Sequence, residues 1–142
     1  MRLVLDTSVI VAGTRSGAGA SRQLLLAALH GRFELLLSVA LVLEYEAVLK
    51  RPEELAASRG TAQGIDKLLD ALIAVSNPVH RVFIWRPLLR GANDDMVLEA
   101  ALAGVADFLV TFNERDFQPT ASKLGVVVLA PREALRRIRE AI

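Results

Sequence analysis

Asp6, Glu44, Asp95 and Asp116 are spread along the whole chain, each in a local context that suits chemistry. Asp6 closes the apolar run Arg2-Leu3-Val4-Leu5-Asp6-Thr7-Ser8-Val9. Asp116 follows a second such run, Phe108-Leu109-Val110-Thr111-Phe112-Asn113-Glu114-Arg115-Asp116-Phe117. Asp95 belongs to the first turn of a predicted helix, where the dipole favours negative charge. Glu44 lies in a helical run flanked by Leu41, Val42, Leu43, Val48 and Leu49, one turn from an apolar stripe. Carboxylates gathered at one sheet edge repel each other unless a cation sits between them. Mg²⁺ or Mn²⁺ prefers oxygen ligands of this kind. The chemistry such a set predicts is metal-assisted cleavage of a phosphodiester.

Each acid also has a bland reading. An Asp at a strand end is usually a turn or cap residue, and Asp94 and Asp95 can simply cap a helix. Glu44 alone reads as a solvated helix residue, and Asp116 as the start of a turn. Four acids in this order, within this alternation of strands and helices, are much less readily accidental, and on spacing alone a shared metal site stands even with separate structural roles. Glu99 shares a helix face with Asp95; a place in the site and a solvated position stand equal for it. Asp107 reads as a turn or cap. His30 and His80 lack metal-ligand spacing.

The elements that must position these groups follow from hydrophobic pattern and punctuation. Leu3 to Leu5 predicts a buried parallel strand. Residues 13–20 predict a flexible loop, with Ser21 capping a helix to about His30 and Gly31 stopping it. Phe33 to Leu37 predicts a strand. Ser38 predicts the cap of a helix from Val39 to about Lys50, limited by Pro52. Pro52 to Gly64 reads as irregular, with a short helix and a loop. Ile65 to Val75 has helical spacing, and Asn77-Pro78 ends it. Val79 to Trp85 reads as a strand. A helix starts at Asn93 or Asp94 and stops at Gly104. Strands follow at Asp107 to Thr111 and Val126 to Leu129. Pro131 opens a last helix. The expected fold is a three-layer α/β/α sandwich around a mainly parallel sheet of about four or five strands, with residues 1–142 as a single domain.

Composition sets outer limits. The length suits one ordinary domain, and about half the residues are apolar. With a net charge of +1, the molecule as a whole does not attract polyanions. Its cations are mostly arginines, whose planar fork suits phosphate. The chain has no cysteine, so disulfides and thiolate metal sites are excluded. No signal peptide or membrane span is read from the sequence, and a cytoplasmic location is expected.

The motifs together resemble the PIN-domain ribonucleases, especially the VapC-like toxin components of toxin–antitoxin pairs. Leu5-Asp6-Thr7-Ser8-Val9 is similar to the family's opening motif, and Glu44 to its helix-borne acid. Asp94-Asp95-Met96-Val97-Leu98-Glu99 resembles the third motif, and Thr111-Phe112-Asn113-Glu114-Arg115-Asp116 the fourth. Two departures stand out. Ser8 stands where many members have Asn, and Asn113 where many have Asp, which makes Asp116 the better fourth acid. The resemblance implies that Asp6, Glu44, Asp95 and Asp116 hold Mg²⁺ or Mn²⁺. Thr7, Ser8, Asp94, Glu99, Thr111 and Asn113 would orient carboxylates or water around them. It further implies an endoribonuclease acting on RNA, a cognate antitoxin and a homodimer. Arg15, Arg22, Arg86 and Arg90, in or near loops, are candidate RNA contacts, with a solvated role as the alternative for each.

Other classes are a PIN nuclease of RNA processing without an antitoxin, a binding module without catalysis, and a nucleotide-binding Rossmann-like sheet. The last is weak, because Gly17-Ala18-Gly19-Ala20 lacks a third Gly and follows its strand too distantly.

Overall fold

The computed structural model describes residues 1–80 and 92–141. In chain order the elements are β1 (Arg2–Leu5), α1 (Thr7–Arg15), α2 (Ala20–Leu29), β2 (Glu34–Leu37), α3 (Val39–Leu49), α4 (Pro52–Ser58), α5 (Ala62–Val75) and β3 (Asn77–Pro78). They continue with α6 (Ala92–Ala103), β4 (Phe108–Val110), α7 (Glu114–Phe117), α8 (Thr120–Lys123), β5 (Val128–Leu129) and α9 (Pro131–Ala141).

The five strands form one sheet in the order β3-β2-β1-β4-β5, and every pairing is parallel. A parallel sheet needs crossovers, and right-handed ones place the helices on both faces. The result is the expected three-layer α/β/α fold, with five strands among the described residues. The chain moves outward from β1 to β2 and β3, then returns to lay β4 on the other side of β1. The sheet therefore has its topological switch point between β1 and β4, where open α/β sheets collect their ligands at the C-terminal strand ends.

Strand and helix residues explain this arrangement. Leu3, Val4 and Leu5 of β1 and Leu109 and Val110 of β4 are wholly buried, as expected for strands covered on both faces. Full burial of each such side chain is worth about 1.5–3 kcal/mol. Ser38 caps α3, its hydroxyl accepting from Leu41 N–H at 3.1 Å, and Thr61 caps α5 through Gly64 N–H at 3.0 Å. Pro52 and Pro131 open α4 and α9 at the position where the missing N–H costs nothing. On α9, Pro131, Ala134 and Ile138 face the core and the arginines face outward.

Several boundaries differ from the sequence expectation. Residues 13–15 end α1 instead of opening a loop. Their loop-like composition is overridden by packing of α1 on α2, where Gly13 lies so close that a Cβ would stand 2.5 Å from Leu25 Cδ1. Ser21 does not cap α2; Gly19 holds that position, and Ser21 is buried in the first turn. The helix α6 ends through Val105 rather than Gly104. Val105 takes the left-handed conformation (φ 51°), and Ala106 N–H closes the end on Ala101 O at 2.9 Å. The strand expected from Val79 to Trp85 is represented by β3, two residues earlier, and residues 81–85 lie outside the described part. The short helices α7 and α8 have no counterpart in the sequence expectation. Among the described residues, no helix is long and apolar enough to cross a membrane.

Candidate active site

Asp6 is the first residue beyond β1, and Thr111 the first beyond β4. Their strands pair directly, Leu5 opposite Val110, and Asp6 N–H continues the ladder to Val110 O at 2.9 Å. The two side chains therefore emerge together at the switch point. Thr111 Oγ1 donates to Asp6 Oδ2 at 2.7 Å, and Ser8 Oγ donates to the same oxygen at 2.9 Å. Asn113 N–H in turn donates to Thr111 Oγ1 at 2.9 Å, which fixes the threonine rotamer.

This geometry decides against the capping role for Asp6. The residue occupies the cap position of α1, yet its side chain makes no cap hydrogen bond. Its carboxylate is buried and held by two hydroxyls. Burying a carboxylate costs several kcal/mol, of the order that a structural cap does not repay.

The helix α6 delivers the next two acids. Asp94 and Asp95 stand in its first turn, and Asp95 is buried. Burial pushes the Asp94 carboxyl up to about 6, and the charges of Asp6, Asp116 and Asp95 push in the same direction. Asp94 thus lies within electrostatic reach of three other carboxylates. Glu99, one turn beyond Asp95, is also buried, so the solvated position is not the one it takes.

Asp116 arrives on α7, which Phe117 anchors by full burial while Asp116 itself is exposed. Asn113 precedes α7 at its cap position without a side-chain cap hydrogen bond. Glu44 is half-buried on α3, and its charge is not among those acting on Asp94. Thr7 Oγ1 is buried with no hydrogen-bond partner among the described residues, so Thr7 does not share the hold on Asp6.

Tyr45, next to Glu44, is a site neighbour that sequence reasoning missed. It is the only tyrosine of the chain and is wholly buried. Its hydroxyl donates to the carbonyl of Leu5, the residue just before Asp6. Burial, and after it the Asp6 charge, pushes the Tyr45 phenol well above its ordinary range, so it stays a neutral donor. The available signal was weak: Tyr45 continues the stripe of Leu41, Val48 and Leu49, which reads as plain core.

The arginines expected to meet RNA divide in two. Arg15 is held by Glu54 in a two-pronged ion pair, and Arg22 donates to the carbonyls of Gly13 and Thr14, bracing the end of α1. Arg86 and Arg90 lie outside the described residues.

Among the described residues, no three His, Cys, Asp or Glu side chains converge to metal-ligand spacing. The donor set nevertheless suits a hard divalent cation. Its ligating candidates are all oxygens. Hydrogen bonds reach Asp6 through Oδ2, and no described residue donates to Oδ1. Like charges crowd Asp94, and a cation among them would reverse that penalty.

The site is thus a parallel sheet with Asp6 at its switch point, held by the hydroxyls of Thr111 at a strand end and Ser8 in the first turn of α1. The sequence profile of the PIN domain matches residues 2–115, and the chain belongs to that family. PIN domains are generally nucleases, and they typically use divalent metal ions. A search of curated proteins finds no match to the chain.

Proposed function

We propose that the protein is a Mg²⁺- or Mn²⁺-dependent endoribonuclease that hydrolyses RNA phosphodiester bonds. The observation that supports this reading is Asp6, held by Ser8 and Thr111 at the sheet's switch point, with Asp94 feeling its charge and those of Asp116 and Asp95. When bound, the cation would supply positive charge for the phosphate and lower the pKa of an attacking water. Asp6, Asp95 and Asp116 are the residues that would hold it, and the crowding of Asp94 adds that carboxylate to the set. Glu44 completes the family's four acids and is retained on that ground. Ser8 and Thr111 keep Asp6 oriented, and Tyr45 holds the strand end that carries it. Strong order in such a shell matters, because small misplacements of reacting groups cost large factors in rate.

The finer reading is a VapC-like toxin with a cognate antitoxin, acting as a homodimer in the cytoplasm, with residues 1–142 as its single domain. It is supported by the four motifs in order. Expression in a bacterial host tests it: growth arrest by the wild type, relieved by Asp6→Asn, is the expected result. Arrest that survives Asp6→Asn would remove metal-assisted catalysis as the cause. Calorimetric titration with Mn²⁺ tests the metal directly, with binding expected to weaken at least tenfold on loss of one carboxylate.

A further inference from the structure

We propose that the groove between α2 and α9 binds the phosphate backbone of a single RNA strand leading to the acid cluster, an inference that rests on the nuclease reading. Two adjoining hollows of about 530 and 270 Å³ lie between these helices and share Gln23, Leu135 and Arg139. The first is bordered by Ala18 and Arg132, the second by His30 and Arg32. Together they form one channel along the helix pair.

The channel starts at the site's edge of the sheet. Helix α9 begins two residues after β5 ends, so Arg132 stands at the C-terminal strand edge where Asp6 and Thr111 emerge. β5 lies two strands from β1, which is about 10 Å at ordinary strand spacing. Arg139 is two helical turns further on, about 10 Å along the axis. Arg32, just before β2, marks the opposite edge.

Charge within the channel is unequal. Arg136 is taken up by Glu133 and Glu140, and Arg137 by Glu133 and the ring of Phe108. The carboxylates of α9 are thereby consumed. Arg32, Arg132 and Arg139 are exposed, and among the described residues none has a carboxylate at ion-pair distance. Three uncompensated guanidiniums in a line suit a polyanion whose charges repeat along its length. No Phe, Tyr or Trp side chain lines the channel among the described residues, and His30 at its far end is the one ring there that could meet a base. The channel reads phosphate rather than sequence.

The test measures binding of a fluorescein-labelled 20-nucleotide oligouridylate in EDTA, where the probe stays intact. Wild type is compared with R32A/R132A/R139A, whose exposed substitutions leave the melting temperature near that of the wild type. The expected result is affinity lower by roughly tenfold or more. The salt slope should shrink by about 2, at about 0.7 for each phosphate that the variant no longer neutralises. A 4-nucleotide probe, with three backbone phosphates, should lose less affinity than the 20-mer in the variant and show a smaller change in salt slope. An oligoadenylate of the same length should bind the wild type as the oligouridylate does. Unchanged affinity and salt slope in the triple variant would overturn the proposal. Displacement of the 20-mer by polyglutamate at equal charge concentration would also overturn it, in favour of an acidic protein partner. Failure of the nuclease reading is seen separately, as no cleavage by wild type with any divalent cation. A difference in 20-mer binding that persists in that case still supports the channel.

Discussion

Thr111 Oγ1 donates to Asp6 Oδ2 at 2.7 Å, joining the C-terminal ends of β4 and β1 through side chains. The pair is separated by more than a hundred residues in sequence and brought together by direct strand pairing. Replacing Thr111 with Val keeps the shape and removes the donor. A hydrogen bond to a charged group is worth about 1.5–3 kcal/mol, so Thr111→Val should lose roughly that much stability. Thr111→Ser should retain most of it. Urea unfolding of both variants in EDTA checks this, and cleavage rates should follow the same order.

Tyr45 ties α3 to the strand end that carries Asp6. Tyr45→Phe leaves the Leu5 carbonyl without this buried donor, at a cost of about 1–3 kcal/mol. If the tie positions Asp6, kcat should fall while KM for RNA changes little. A variant that is less stable but equal in kcat at low temperature would make Tyr45 a plain core residue.

Charge crowding at Asp94 has a definite sign. Its folded-state pKa of about 6 exceeds the ordinary 3.8, so the folded protein binds more protons between these values. Stability of the metal-free protein should fall as pH rises from about 4 through 6, and the penalty should be complete above that. Asp94→Asn should therefore melt higher than wild type at pH 8 in EDTA, and the gap should close near pH 4. Added Mg²⁺ should stabilise the wild type more than the variant.

Val105 is three-quarters exposed and holds φ at 51° beyond α6. Left-handed backbone costs a residue with a Cβ about 1–2 kcal/mol. Val105→Gly should raise stability by about 1 kcal/mol without changing cleavage, as thermal unfolding would show.

Much of the fold was legible because its signals are local. The Ser38 cap, the apolar runs of β1 and β4, and Pro131 each act within a few residues. What escaped depends on tertiary packing. Residues 13–15 look like loop until α2 packs on Gly13, and Val105 is forced to end a helix whose Gly stands one residue earlier. In the site, Asp6 and Asp116 were legible as polar residues ending apolar runs. Asp94 reads as a cap from its position alone, and only the approach of β1 and α7 gives it three acidic neighbours. Tyr45 is invisible to pattern because a buried tyrosine on an apolar stripe looks like core. Arg15 carried no sign in sequence that Glu54, across the junction of α1 and α4, would claim it.

The most direct test of the central claim is cleavage of a mixed pool of cellular RNA by wild type and Asp6→Asn, with Mg²⁺, Mn²⁺ or EDTA. Discrete cuts are expected with either metal, none in EDTA, and none with Asp6→Asn even though that protein is folded. Cuts that persist in EDTA, or an Asp6→Asn protein as active as wild type, would contradict the claim.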